Sequence, residues 1–212
     1  MLDLAIKIVL AYLTGSLVGS LLVGRLIGGI DIRKEGSGTA GGTNALRTHG
    51  KLFAFWVVLI DVGKGVLAVL LIPKLAIFGL ETLPATWQAV SCGMAAMVGH
   101  VWPVFFGFRG GKGMATFLGV LGVVSLPALG VSLATWLVVL VLSGFVGLST
   151  IIAAIAVPAF AFTVTGIQGP LFAFGIAMAL FIGYTHRSNI SRMLDGSEHR
   201  FEKVMLFRRL KS

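Results

Sequence analysis

Apolar residues run through the chain in long stretches, and polar residues gather in the short segments between them. Stretches 4–27, 52–72 and 87–106 are each long enough to cross about 30 Å of hydrocarbon at about 1.5 Å per helical residue. Two more, 114–142 and 151–184, would form helices about 44 and 51 Å long if unbroken, too long even with tilt. Proline and glycine mark where each divides, at Ser125-Leu126-Pro127 and at Gly166-Ile167-Gln168-Gly169-Pro170. The pattern predicts an all-α, polytopic membrane protein with seven transmembrane helices in a single bundle over 1–212. Without those two breaks the number would be five.

Composition narrows the class. The 212 residues are 57% hydrophobic and 12% charged, with a mean hydropathy of +0.98, against about 25% charged residues in soluble domains. A water-soluble globule is excluded, as is disorder in so apolar a chain. Cys92 stands alone, which excludes a disulfide scaffold. Lys7 and Arg25 near the ends of the first stretch make it a poor secretory signal, so it reads as one retained helix.

The net charge of +9 reports orientation rather than nucleic-acid binding, because the basic residues sit in short loops and form no single face. With seven helices, one side of the membrane receives Arg25, Arg33, Lys34, Arg47, Lys51, Arg109, Lys112 and the basic tail from Arg187 onward, and the other receives Lys7 and Lys74. The positive-inside rule then puts the first and third loops and the C-terminus in the cytosol and the N-terminus outside.

Chemistry concentrates in cytosolic segments 36–51, 107–116 and 184–201. In the first, Gly36, Gly38, Gly41 and Gly42 let backbone N–H groups converge, Ser37, Thr43, Asn44 and Arg47 add donors, and a helix N-terminus follows. This is anion-binding chemistry, although the Gly-Lys-Ser/Thr ending of a Walker loop is missing. In the second, Gly110, Gly111 and Gly113 surround Lys112 just before another helix, a second anion nest. His100, before Pro103, reads first as a helix-end histidine satisfied locally and second as a catalytic group. In the third, His186, Asn189 and Arg192 share one face at helical spacing, a face that can turn toward the two nests. Arg208, Arg209 and Lys211 suit anionic lipid headgroups.

Ser149 and Thr150 open the sixth helix, either as ordinary caps or as part of the site. Asp61 and Lys64 lie one turn apart inside an apolar stretch, where each costs about 2.5–3.5 kcal/mol near the bilayer centre. They read as an intramembrane pair, as support for the site, or as part of an ion pathway. No nucleophile elbow, Cys–His pair, metal-ligand cluster or cofactor fingerprint is present in the sequence. A reaction needing a protein nucleophile is poorly supported, and chemistry on a substrate that arrives activated stays open, with the protein supplying positioning and anion stabilisation.

Gly36-Ser37-Gly38 with Gly41, Thr43-Asn44 and Arg47, then Gly99-His100, Pro103, Phe106, Gly110-Gly111-Lys112-Gly113 and Ala115-Thr116, then His186-Arg187, Asn189-Ile190, Arg192, Gly196 and Glu198 closely resemble the three cytosolic motifs of the PlsY-type bacterial acyl-phosphate:glycerol-3-phosphate acyltransferases. The resemblance covers nearly the whole chain, with Thr39 where Asn is common and Gly42 where Ala is usual. It implies transfer of a fatty acyl group from a long-chain acyl phosphate to the 1-position of glycerol 3-phosphate, giving lysophosphatidic acid and phosphate in phospholipid biosynthesis. It further implies no cofactor or metal, membrane lipid as surroundings, the bacterial inner membrane as location, and an acyl-phosphate-producing enzyme as a partner. On that reading Lys112, Arg47, His186 and Asn189 are the catalytic candidates. Ser37, Gly38, Thr43, Asn44, Gly110, Gly111, Gly113, Arg192 and Ser149 are the substrate-binding ones. The hydroxyl proton goes to His186 or to a substrate phosphate. The rival class is a small anion transporter or channel, against which stands the lack of an inverted repeat between the halves.

Overall fold

The computed structural model describes residues 2–76 and 83–206. Among them all regular structure is helical, and the chain divides into two compact units, Met1–Val124 and Ser125–Ser212. The first holds α1 (Leu2–Gly15), α2 (Gly19–Leu26), α3 (Gly42–Leu70), α4 (Ala85–Val101) and α5 (Met114–Val124). The second holds α6 (Leu126–Ser143), α7 (Val146–Thr165), α8 (Pro170–Thr185) and α9 (Arg187–Leu194).

Both expected breaks occur where proline and glycine stand. Ser125 caps α6, its Oγ accepting from Ala128 N at 3.3 Å with Pro127 in the first turn, and Gly166 ends α7 four residues before Pro170 opens α8. The first stretch differs from expectation. It is not one helix but two, bent by 48° at residues 16–18. Among the described residues four helices are long and apolar enough to cross a bilayer, or five if α1 and α2 form one broken span. Helices α5 and α8, with 11 and 16 residues, measure only about 17 and 24 Å.

Helix α3 starts ten residues earlier than its apolar stretch, at Gly42, so Thr43, Asn44 and Arg47 sit on helical turns and not in a loop. Gly50, at φ +81°, interrupts it and separates those turns from the apolar length beyond. That length is arranged inside out: Phe53, Val57, Asp61, Lys64 and Ala68 are buried along one stripe, while Leu52, Phe55, Trp56, Leu59 and Leu67 are exposed. Without a hydrophobic drive between helices, packing in lipid relies on small residues that let backbones approach. A Cβ on Gly99 of α4 would strike the Tyr12 carbonyl of α1, and one on Gly119 of α5 would strike the Val62 carbonyl of α3.

Replacing Gly99 by Leu is therefore expected to lower stability in detergent by about 1–3 kcal/mol through overpacking. Gly63→Ala, where a Cβ meets nothing within 4 Å, serves as the control and should leave the thermal transition unchanged or raise it slightly.

Candidate active site

The first unit brings its two glycine-rich segments together. Asp31 caps the 3-10 turn Ile32–Lys34: its Oδ1 accepts from Arg33 N at 3.1 Å and from Arg33 Nε at 2.9 Å, and its Oδ2 from Arg33 Nη2 at 2.8 Å. So oriented, Arg33 Nη1 donates to the carbonyls of Phe106 and Arg109, both at 2.8 Å. Ala40 N donates to Gly110 O at 3.4 Å beside this clamp. The guanidinium hydrogen bond holds the Asp31 carboxyl at about 2, against the opposing effect of its partial burial.

Asn44, buried in the first turn of α3, shapes the first segment from within. Its Nδ2 donates to the carbonyls of Ile32, Glu35 and Thr39 at 3.1, 3.0 and 3.1 Å, and its Oδ1 accepts from Ser37 N at 2.9 Å. An amide engaged in this way organises the loop, whereas the sequence reading gave Asn44 to the substrate. Gly36 (φ +55°) and Gly38 (φ +71°) make the tight turn around it, and a Cβ on Gly36 would collide with Asn44 Oδ1. Outward stand Ser37 Oγ, 3.0 Å from Thr39 Oγ1, and the exposed Arg47 one turn along α3 from Asn44. Thr43 is half-buried at the helix start.

The second segment lies on His100. Gly111 N donates to His100 O at 3.2 Å and Gly110 N to Val101 O at 3.0 Å. A Cβ on Gly110 would strike the His100 carbonyl, and one on Gly111 would strike the His100 ring at Nε2 and lie 2.6 Å from Ala40 O. Gly113, at φ +91°, then turns the chain into α5, leaving the half-buried Lys112 beside that helix's N-terminus. The two expected anion nests are thus neighbours within one unit, each ending in a helix start whose partial positive charge favours anions.

The second unit carries the third segment. His186 closes α8 at the junction with α9, and its Nδ1 lies 2.9 Å from the Ile182 carbonyl. A carbonyl can only accept, so Nδ1 donates to it, with Thr185 Oγ1 3.3 Å from the same nitrogen, and in the neutral form of the ring the lone pair is on Nε2. Asn189 and Arg192 share a face as expected, and the buried Glu198 joins them: Asn189 Nδ2 donates to Oε1 at 2.8 Å and Arg192 Nε to Oε2 at 2.7 Å. Asn189 also fits against Gly147 at the start of α7, where a Cβ would come within 2.7 Å of it. Ser149 is not a cap, since α7 begins at Val146 and Ser149 Oγ donates back to Phe145 O at 2.8 Å, as Thr150 Oγ1 does to Val146 O at 2.8 Å. Arg208, Arg209 and Lys211 lie outside the described residues.

Arg33, which the charge pattern offers only as an orienting residue, and Glu198, which the resemblance includes without a role, are the two positions that hold neighbouring site candidates in place. Their signals in the sequence are a carboxylate two residues before an arginine and a glutamate six residues after one.

The sequence matches the glycerol-3-phosphate acyltransferase family over residues 5–196. It is 43% identical to a glycerol-3-phosphate acyltransferase of Synechococcus sp. (strain CC9902), covering 94% of this chain and 96% of that one, and 43% identical to one of Desulforudis audaxviator (strain MP104C), covering 91% and 92%. Among solved structures it is similar to crystal structures of PlsY (YgiH), an integral membrane glycerol 3-phosphate acyltransferase. The glycerol 3-phosphate form gives a TM-score of 0.83 at 36% identity over 95% of this chain and 96% of that one. The lysophosphatidic acid form gives 0.81 at 35% identity over 96% and 98%.

Asp31→Asn removes the carboxylate that aims Arg33 and is expected to lower acyltransferase turnover about tenfold while the protein still folds, since loop misplacement alone can cost up to about 100-fold. In the wild type the depressed carboxyl contributes its full share of stability above the ordinary 3.8 and loses it as pH falls through about 2. The protection of the Arg33 and Ala40 amides, taken relative to intrinsic exchange at each pH, should fall as pH drops through that window.

Proposed function

The chain belongs to the glycerol-3-phosphate acyltransferase family, and from that premise we propose that its acyl donor is a long-chain acyl phosphate. The observation that carries this reading is the pairing of two anion nests in one unit, through Arg33 and the Ala40–Gly110 hydrogen bond. A donor and an acceptor that each bear a phosphate call for two such sites. Acyl phosphate is a mixed anhydride with phosphate as leaving group, so the reaction needs no protein nucleophile. The 1-hydroxyl oxygen of glycerol 3-phosphate attacks the acyl carbonyl carbon, the carbonyl electrons move onto oxygen, and their return expels phosphate and leaves lysophosphatidic acid. Lys112 and Arg47 supply positive charge to the phosphates and the developing oxyanion, the Ser37 hydroxyl and the backbone N–H groups of Thr43 and Gly113 at the two helix starts add donors, and Gly38, Gly110 and Gly111 shape the turns that present them. His186 Nε2 takes the hydroxyl proton, and Asn189 and Arg192, fixed by Glu198, orient the acceptor.

The enzyme on this reading lies in the bacterial inner membrane with its N-terminus outside and its site open to the cytosol, where an acyl-phosphate-producing enzyme supplies the donor. The distribution of basic residues supports that orientation. For α7 and α8, two of the seven crossings of this reading, support comes from the contact of the tail with the α6–α7 turn. Arg200 Nε donates to Ser143 O at 2.9 Å and Phe201 N to Gly144 O at 2.8 Å. That contact returns the chain to its starting side through α7 and α8. The family does not favour the transporter reading.

Purified protein given glycerol 3-phosphate should form lysophosphatidic acid from a long-chain acyl phosphate in the presence of EDTA and none from the matching acyl-CoA. Product from acyl-CoA alone would refute the donor. Lys112→Ala and Arg47→Ala are each expected to lower turnover at least about 100-fold, the scale of losing one oxyanion donor. His186→Ala at near-normal turnover would transfer the proton to a substrate phosphate.

A further inference from the structure

Two buried charges of α3 that the proposed reaction does not use reach the second nest through one histidine. Lys64 Nζ lies 2.8 Å from Asp61 Oδ1, 3.1 Å from the Leu17 carbonyl and 2.7 Å from His100 Nδ1. An ammonium has three N–H groups and no lone pair, and three acceptors surround this one. His100 Nδ1 also lies 3.4 Å from Asp61 Oδ1, but its shorter contact is the one to the ammonium, so Nδ1 accepts and the imidazole proton resides on Nε2. That edge of the ring meets Gly111, which has no side chain and lets Nε2 and the Ala40 carbonyl close on the same point. The His100 carbonyl meanwhile accepts from Gly111 N at 3.2 Å.

We propose that Asp61 and Lys64 are positioning residues for the acyl transfer. They hold His100 in the Nε2–H form and in one ring plane, and the ring seats the turn carrying Lys112 against Ala40 of the first nest. This deepens the reading above, since it rests on that turn holding a phosphate. An ion pair serving only to lock helices would be indifferent to the proton position of His100, and its replacement by a neutral pair of similar size would leave turnover alone.

Protein labelled with [15N]histidine and solubilised in detergent reports the tautomer through its ring-nitrogen shifts, with His100→Phe assigning the signal among the four histidines. The wild type is expected to show a protonated Nε2 and a hydrogen-bonded, unprotonated Nδ1 at His100. In the charge-neutral double variant Asp61→Asn/Lys64→Met that Nδ1 signature should disappear and kcat should fall about 10- to 100-fold, the effect of misplacing a catalytic group by about 1 Å. His100→Asn, whose amide oxygen can stand where Nδ1 stood, should retain at least several-fold more turnover than His100→Phe. A wild-type His100 protonated on Nδ1, a double variant with wild-type kcat, or equal turnover of His100→Asn and His100→Phe each overturns the proposal; the last comparison decides if the double variant does not fold. Lys112→Ala separates the two readings: near-normal turnover with an intact Nε2–H signal would remove the phosphate role of the turn and leave the histidine lock standing.

Discussion

A backbone N–H or C=O without a partner in hydrocarbon costs several kcal/mol, and this chain breaks a helix inside an apolar stretch. The break at residues 16–18 needs partners that the helix itself no longer provides. They come from α3: Lys64 donates to the Leu17 carbonyl, and Asp61 accepts from Gly19 N at 3.0 Å. A charged pair that would be expensive against lipid thus caps another helix from the side. The bend it sustains sets the direction of α2, and α2 runs by way of Ile30, whose N–H returns to the Gly24 carbonyl at 2.9 Å, into Asp31 and Arg33. The geometry of the first nest therefore begins at an ion pair buried well below it.

How much of this was legible in the sequence depended on the range of the interaction. The breaks at Ser125–Pro127 and at Gly166–Pro170 could be read because proline and glycine act on their own backbone. The break at 16–18 could not, because its partners lie more than 40 residues away on α3. Hydropathy also hid the start of α3, since the turns carrying Thr43, Asn44 and Arg47 are polar and precede Gly50. The glycines of both nests announced tight backbone turns. Arg33 did not announce its role, because its acceptors are main-chain carbonyls 73 and 76 residues further on, which leave no side-chain signature. Asn44 was recognised as important but assigned outward, because composition does not say whether an amide faces a ligand or its own loop.

The two histidines show how the nearest neighbour of Nδ1 can favour opposite proton positions in one residue type. At His186 the atom facing Nδ1 is the Ile182 carbonyl, an acceptor, so the proton stays on Nδ1 and Nε2 is left basic. At His100 the nearest atom to Nδ1 is the Lys64 ammonium at 2.7 Å, a donor, ahead of Asp61 Oδ1 at 3.4 Å, and on the proposal above the proton is then on Nε2. The first arrangement suits a group that receives a proton during turnover. The second suits one that holds neighbouring backbone still. Neither assignment follows from the Gly-His and Thr-His dipeptides in which the residues occur.

The lateral cap between the first helix break and α3 also bears on how the protein is made. In chain order the Leu17 carbonyl and the Gly19 amide precede Asp61 and Lys64, so partners for both charges are already present in the chain when α3 packs. His100 arrives later still and completes the ring of acceptors round Lys64 only when α4 docks. The second nest, which follows His100 in the chain, can therefore take its final form only once the break, the ion pair and the histidine have come together.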